Sequence, residues 1–553
     1  LAQAPHWDEP AVFAPTSHET FSKDAIKDLA DDRVEVSDGV YGSYDLVVVD
    51  KRALRRRDFT RLGARGPLIG VDEGGPYRRR FAYLIDTLPR LPGTPEANVS
   101  NPGFLDLPER RRDPPRGFRR ILLTFGGEDP AGLTARLAHA LVREELVSPF
   151  QITAVRGPFC TSFDVPDGVS VIDGSAGIRN LLHHFDLVFC SFGITAFEAL
   201  AAGVPVVLFN PTRYHQRLSR AAKLPEVGVG RPSAGRLSQL FRHPDALLAG
   251  PARMAQVRRR DLGNFLAGLQ FRGSFWCPVC PGPPGRALAR FEERTYLRCN
   301  RCGLVHLLRA GGREVRYDEG YFFADYRAQY GRTYLEDFGH IQELGRERLE
   351  RIRRVRPAPG SLLDVGCAYG PFLAAAQSRG YDAFGLDVAG EAVAFVRDSL
   401  GLPVVKIAFQ DFDAEHAFHR RHFDIITMWY VIEHFEALDQ ILARVSALLP
   451  VGGVFAFSTP NGRGISGRMN LRSFLENSPP DHYVVFTPRS ARRVLRRYGL
   501  RVRSVRITGH HPERFPGMLG RPRFAKVAGT LSRFFGLGDT FEVYAEKGRE
   551  ALR

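Results

Sequence analysis

Four cysteines are set as Cys277-x2-Cys280 and Cys299-x2-Cys302, with eighteen residues between the pairs. Two such knuckles can place four thiolates around one tetrahedral ion; a zinc so enclosed has no open position and would hold the fold rather than catalyse. His306 follows as an alternative ligand, though its place suits the next strand better. A second chemistry is written at Asp364-Val365-Gly366-Cys367-Ala368-Tyr369-Gly370, where an apolar strand enters a glycine turn and then a helix opening on Pro371. Glycines let a backbone approach a ligand closely, and a helix start offers unpaired N–H groups. Asp387 ends the next apolar run about twenty residues on, where such folds accept hydrogen bonds from ribose hydroxyls. Together they describe a cradle for a nucleotide-like ligand. His434 follows a third apolar run, Phe423 to Trp429, and His482 lies in a later loop; a histidine of near-neutral pKa can take a proton from a hydroxyl nucleophile. A His434 that only bonds the backbone at a helix start is an equally open reading.

The first half repeats the cradle twice. Ile121 to Thr124 feeds Gly126-Gly127, and Leu187 to Cys190 feeds Gly193-Ile194-Thr195 at the start of a helix that carries Glu198. Backbone N–H groups there could hold a diphosphate, and Glu198 a ribose diol.

These turns need apolar strands alternating with helices, which is an α/β architecture. At 553 residues the chain exceeds one ordinary domain. We expect five segments: an α/β domain over 1–115, a second over 116–265, a zinc ribbon over 272–310, an aromatic cap over 311–354 and a terminal α/β domain over 355–553. The cap is dense in aromatics from Tyr317 to Tyr330, with Tyr334 and Phe338 beyond. Cys160, Cys190 and Cys367 lie in or beside apolar strands and read as core thiols. Residues 508 to 538, rich in Arg, Phe and Gly, form an insertion without a readable role.

LLDVGCAYG (362–370), GLDV (385–388), FQDFD (409–413) and FDIITMWYVIEH (423–434), in that order, resemble the class I S-adenosylmethionine-dependent methyltransferases over about 355 to 548. The resemblance implies a seven-stranded sheet and a cofactor held by Asp364, Gly366, Cys367, Ala368, Gly370, Asp387, Val388, Asp411 and Phe412. Ala368 stands where many members have a second glycine, and we expect no loss of binding. CPVC, CNRCG and YDEGYFFADYRAQYG are similar to the zinc-ribbon methyltransferases, which implies a cap over substrate and cofactor. LLTFGGEDP and SFGITAFEALAAGVPVVLFNPTRYHQ resemble the nucleotide-sugar half of two-domain GT-B glycosyltransferases over roughly 40 to 240. The likeness is to the lipid II N-acetylglucosaminyltransferase and to the UDP-sugar hydrolase of pseudaminic acid synthesis. It implies two Rossmann-like domains, with Gly126, Gly127, Gly193, Ile194 and Thr195 at the diphosphate, Glu198 at the ribose and Gln216 at the sugar. Those relatives carry a glycine turn with a catalytic histidine early in the chain; here His6 and His18 lie nearby but in no glycine turn, so this half is an active transferase or hydrolase in the full-length protein, a non-catalytic sugar-nucleotide module, or a purely structural α/β pair.

The formal net charge is +16, but only seven of the 77 basic residues are Lys and the Arg are scattered, which points away from a nucleic-acid partner without removing it. No apolar run approaches the roughly twenty residues that cross a bilayer, and the start lacks a signal-peptide pattern, so we expect a cytoplasmic protein. The chain opens on Leu1 rather than Met, from which we expect upstream sequence. The whole reads as a sugar or nucleotide-sugar O-methyltransferase of surface-polysaccharide synthesis, with structural zinc. The alternatives are a zinc-ribbon RNA methyltransferase and a non-catalytic assembly protein.

Overall fold

A computed structural model describes residues 11–13, 34–36, 47–50, 53–64, 66–160, 164–174, 177–282, 285–311, 331–517 and 521–549. They divide into two compact units, Leu1–Arg78 with Tyr83–Leu269, and Arg79–Ala82 with Gln270–Arg553. His6, His18 and the aromatic stretch from Tyr317 to Tyr330 lie outside the described residues.

In the first unit, Val47–Asp50, Leu68–Val71, Tyr83–Asp86 and Val99–Ser100 form a parallel sheet in chain order. A seven-stranded sheet follows, in the order Arg231–Pro232, Glu226–Val229, Val206–Asn210, Leu187–Cys190, Ile121–Thr124, Ile152–Arg156, Ser170–Asp173. All its neighbours are parallel except the short Arg231–Pro232 edge. Ile121–Leu123 and Leu187–Phe189 are apolar at every position and fully buried, as central parallel strands covered on both faces must be. Chain order reverses between these two strands, which opens a crevice beyond their carboxyl ends.

In the second unit, Phe271–Gly273, Arg286–Phe291, Arg294–Arg298 and Val305–Ala310 pair antiparallel. The larger sheet contains β1 (Ser361–Val365), β2 (Asp382–Asp387), β3 (Val404–Lys406), β4 (Ile425–Trp429), β5 (Val454–Pro460), β6 (Leu500–Thr508) and β7 (Thr540–Lys547), in the order β3-β2-β1-β4-β5-β7-β6. Strands β1 to β5 are mutually parallel and β7 runs antiparallel between β5 and β6. Leu362, Leu363, Ile425, Ile426, Phe455 and Phe457 bury its centre. Reversal between β1 and β4 opens a second crevice at the carboxyl rim.

A link joins the antiparallel sheet to that rim. Val484–Val485 pairs with Val305 and His306, and Leu307 N–H donates to the Tyr483 carbonyl at 2.8 Å. Just beyond, Thr487 caps the helix Pro488–Arg496 and the Ser490 side chain accepts from Thr487 N–H in return, which fixes where the loop re-enters the helical layer. The chain from Asp481 to Thr487 is thereby held at both ends.

Candidate active site

The turn after β1 is left-handed at Gly366 (φ +70°), Ala368 (+48°) and Gly370 (+78°). A Cβ on Gly366 would stand 2.6 Å from Val431 Cγ2, so glycine is required by space as well as by φ. Ala368 has no such freedom, and its conformation carries a backbone cost of about 1–2 kcal/mol. Asp387, at the end of β2, braces this turn: Oδ2 accepts from Ala368 N–H at 2.8 Å and Oδ1 from Ala389 N–H at 2.9 Å. Each oxygen keeps a second lone pair for a ligand hydroxyl. Burial raises its pKa and the backbone donors oppose the rise.

Asp364 lies beneath the turn, its Oδ1 accepting from Thr427 Oγ1 at 2.6 Å, and so ties β1 to β4. Burial lifts its pKa to about 7, with Thr427 and Arg348 offsetting part of the shift. Cys367 is buried and Val388 is exposed at the rim. Tyr369, Ala368, Ala389 and Ala392 pack with Tyr334, Leu335, Phe338 and Phe395 over the turn. Asp411 is exposed in the turn after β3. Phe412 is corrected by the structure: it is 0% exposed and packed among core aromatics such as Phe418 and Phe423, so it presents no surface to a ligand.

Beyond β4, the short helical turn Ile432–His434 brings a second group to the rim. His434 Nδ1 lies 2.9 Å from Asp481 Oδ2, and the His482 ring meets the His434 ring edge-on at 4.7 Å between centroids. Burial by itself lowers the His434 pKa, but the Asp481 hydrogen bond and the Glu433 and Asp481 charges outweigh it, and the net shift is upward. Burial drives His482 the other way, to about 3, with the His434 charge adding to it, so His482 stays neutral. The sequence reading missed Glu433. It is buried, neither carboxylate oxygen makes a well-formed hydrogen bond among the described residues, and burial raises its pKa to about 7 against the opposing His434 charge and the nearby Thr459 hydroxyl. An acid ending the apolar run Val431-Ile432 was the available signal. Glu433, His434 and His482 each offer an atom within 4.8 Å of the others, a spacing compatible with a cation.

Cys277, Cys280, Cys299 and Cys302 bring their Sγ atoms within 4.8 Å of one another, with Cys277 and Cys302 at 3.6 Å. Zinc–sulfur bonds of about 2.3 Å in a tetrahedron give sulfur pairs about 3.8 Å apart, so the cluster fits such an ion. His306 is outside it, fully buried on its strand. Cys190 and Cys367 are core thiols as expected, whereas Cys160 is only half-buried.

In the first unit, Gly126-Gly127 and Gly193-Ile194-Thr195 flank the crevice from its two sides, because Cys190 is in register with Thr124. Gly126 is left-handed (φ +90°) and Gly193 is extended. Asn210 fixes the second turn by accepting from Phe192 N–H at 3.1 Å. Glu198 is half-buried with its pKa raised by burial against the opposing Arg179 charge. The Gln216 amide donates to Glu226 at 3.0 Å, within a cluster that includes Arg220 and Arg236, so its nitrogen is already engaged.

A family described as "Methyltransferase domain" matches residues 338–505. The ubiquinone biosynthesis O-methyltransferase of Burkholderia pseudomallei is 26% identical over 186 residues, covering 32% of this chain and 80% of that protein. An uncharacterized protein of Methanocaldococcus jannaschii is 30% identical over 112 residues, covering 18% of this chain, which spans only 22% of that relative's length. A solved SAM-dependent methyltransferase from Archaeoglobus fulgidus aligns with 41% of this chain and 100% of its own at 17% identity, with a TM-score of 0.31. The second unit carries a class I S-adenosylmethionine-dependent methyltransferase domain.

Proposed function

We propose that the protein transfers a methyl group to a hydroxyl of a sugar or nucleotide-sugar in surface-polysaccharide synthesis, with His434 as the proton acceptor. The observation that carries this reading is the His434–Asp481 pair at 2.9 Å, beyond the end of β4 and on the same rim as the Asp387-braced turn. S-adenosylmethionine, when bound, supplies an electrophilic sulfonium methyl. Asp387 holds its ribose hydroxyls, Gly366 and Gly370 admit it to the turn, and Cys367, Ala368, Val388 and Asp411 line its place.

Asp481 accepts the Nδ1 proton of His434, which puts the basic lone pair of the neutral ring on Nε2. That nitrogen would take the hydroxyl proton during methyl transfer, and Asp481 and Glu433 would stabilise the imidazolium so formed. His482 packs against the base and excludes water. Transfer to oxygen agrees with the name of the Burkholderia relative. The cysteine cluster takes structural zinc. The first unit holds a nucleotide-sugar, with its diphosphate at Gly126, Gly127, Gly193, Ile194 and Thr195 and its ribose at Glu198.

Incubation of UDP-, GDP- and CMP-sugars with the protein and methyl donor, followed by mass spectrometry, tests the reading. A singly methylated sugar is expected. Label entering RNA and no sugar would favour an RNA methyltransferase instead.

A further inference from the structure

The insertion between β6 and β7 carries a surface that methyl transfer does not use. From Arg514 to Gly538 the sequence contains no Asp or Glu, but it contains Arg514, Arg521, Arg523, Lys526 and Arg533. Its helix, Ala525–Phe534, buries Ala528, Gly529 and Ser532 against the domain. The opposite face is apolar and basic at once. Phe534 is 82% exposed, Phe535 60% and Val527 52%, while Lys526 and Arg533 on that face are also exposed. The two phenylalanine rings stand edge to face, 5.0 Å apart.

The helix is anchored where it meets the domain. His510 Nδ1 lies 2.7 Å from Ser532 Oγ, and Ile465 N–H donates to the Leu537 carbonyl at 2.7 Å. Two adjacent aromatics held out in water at an anchored helix end gain nothing from that exposure. Aromatic side chains beside a basic face are what enters the boundary between lipid headgroups and acyl chains, where apolar burial and attraction to anionic lipid add.

Topology places this surface with respect to chemistry. Thr508 ends β6 and Thr540 opens β7, and Thr540 pairs with Pro460 at the carboxyl end of β5. The insertion therefore rises from the sheet edge that also carries Asp387 and His434. We propose that Phe534, Phe535 and Val527, flanked by Arg523, Lys526 and Arg533, dock the methyltransferase domain on a bilayer rich in anionic phospholipid. The rim would then face acceptors at a membrane surface. This goes beyond the methyl-transfer reading and does not depend on which acceptor is used.

Co-sedimentation of the full chain with phosphatidylglycerol-containing vesicles tests it, with pure phosphatidylcholine vesicles alongside. Binding to the anionic vesicles is expected, weakened by salt as surface charge is screened. Phe534→Ser with Phe535→Ser should lower the partition at least about tenfold, and Arg523→Gln with Lys526→Gln and Arg533→Gln should remove the preference for anionic lipid. Both variants should keep the affinity of the native protein for S-adenosylhomocysteine, which shows that the domain remains folded. Absence of native binding to anionic vesicles, or binding unchanged in the Phe534→Ser, Phe535→Ser variant, would overturn the proposal.

Discussion

At His434 and Glu433 a half-buried ring and a buried carboxyl share one corner, and their opposite needs give separable predictions. A raised histidine pKa means that below the ordinary value of 6.5 the ring is protonated and useless as a base. We expect kcat to climb with pH through an inflection above 6.5. Asp481→Asn removes the largest of the influences that hold the pKa up and leaves burial opposed by the Glu433 charge alone, so the inflection should move to lower pH while kcat at its plateau falls. His434→Gln should cost about 10²–10⁴-fold in kcat with S-adenosylhomocysteine affinity retained; loss of that affinity instead would make His434 a structural residue. Glu433 behaves differently because burial raises a carboxyl pKa, from 4.5 to about 7. The unfolded chain then releases the proton first, so rising pH favours unfolding between those values and the loss is complete above the higher one. Glu433→Gln should therefore raise the melting temperature of the second unit at pH 8 and change it little at pH 4.5. Equal shifts at both pH values would contradict a titrating origin. At Ala368 the left-handed backbone predicts that Ala368→Gly stabilises by about 1 kcal/mol in denaturant titration.

The strand from Val305 to Ala310 makes the cysteine cluster relevant to the rim, because it pairs with Val484–Val485 immediately after the loop that carries Asp481 and His482. Cys299→Ser, or a strong chelator, should release that strand, misplace Asp481 and lower kcat. S-adenosylhomocysteine titration should be nearly unchanged, because the hydrogen bonds that brace the turn come from Asp387 at the end of β2 and involve none of the cysteine-bearing strands; equal loss of both would assign the cysteine cluster to global stability. The same topology explains what could be read in advance. Asp364 to Gly370 and Asp387 were legible because a βα turn and the end of the next strand are local features, separated by one helix. The His434–Asp481 pair was not, since 47 residues and an intervening strand separate its members. Phe412 was misassigned because neighbourhood in a motif does not say which way a side chain points, and its aromatic neighbours claim it for the core. The contact of Gln216 with Glu226 went unread for a similar reason, since one lies on the helix Arg213–Ala221 and the other opens the strand Glu226–Val229.

Across the whole molecule, each unit presents a sheet with parallel central strands and a reversal of strand order; the first reversal is flanked by Gly126-Gly127 and Gly193, the second by the Gly366 to Gly370 turn on one side and the Ile432–His434 turn on the other. Two crevices of this kind in two separately cored units predict two ligand responses in one chain. S-adenosylhomocysteine should raise one thermal transition and a nucleoside diphosphate sugar another. Asp387→Ala should abolish the first shift only, since its carboxylate holds the turn at Ala368 within the second unit's own cradle. Glu198→Ala should abolish the second only. A nucleotide-sugar shift that survives Glu198→Ala would remove that residue from the ribose. If no nucleotide-sugar moves either transition, the first unit is a scaffold, because a site with binding free energy for the native state must stabilise that state by mass action. A single transition raised by both ligands together would mean that the two cores unfold as one, and the pairwise variants would still separate the sites by which ligand each one silences.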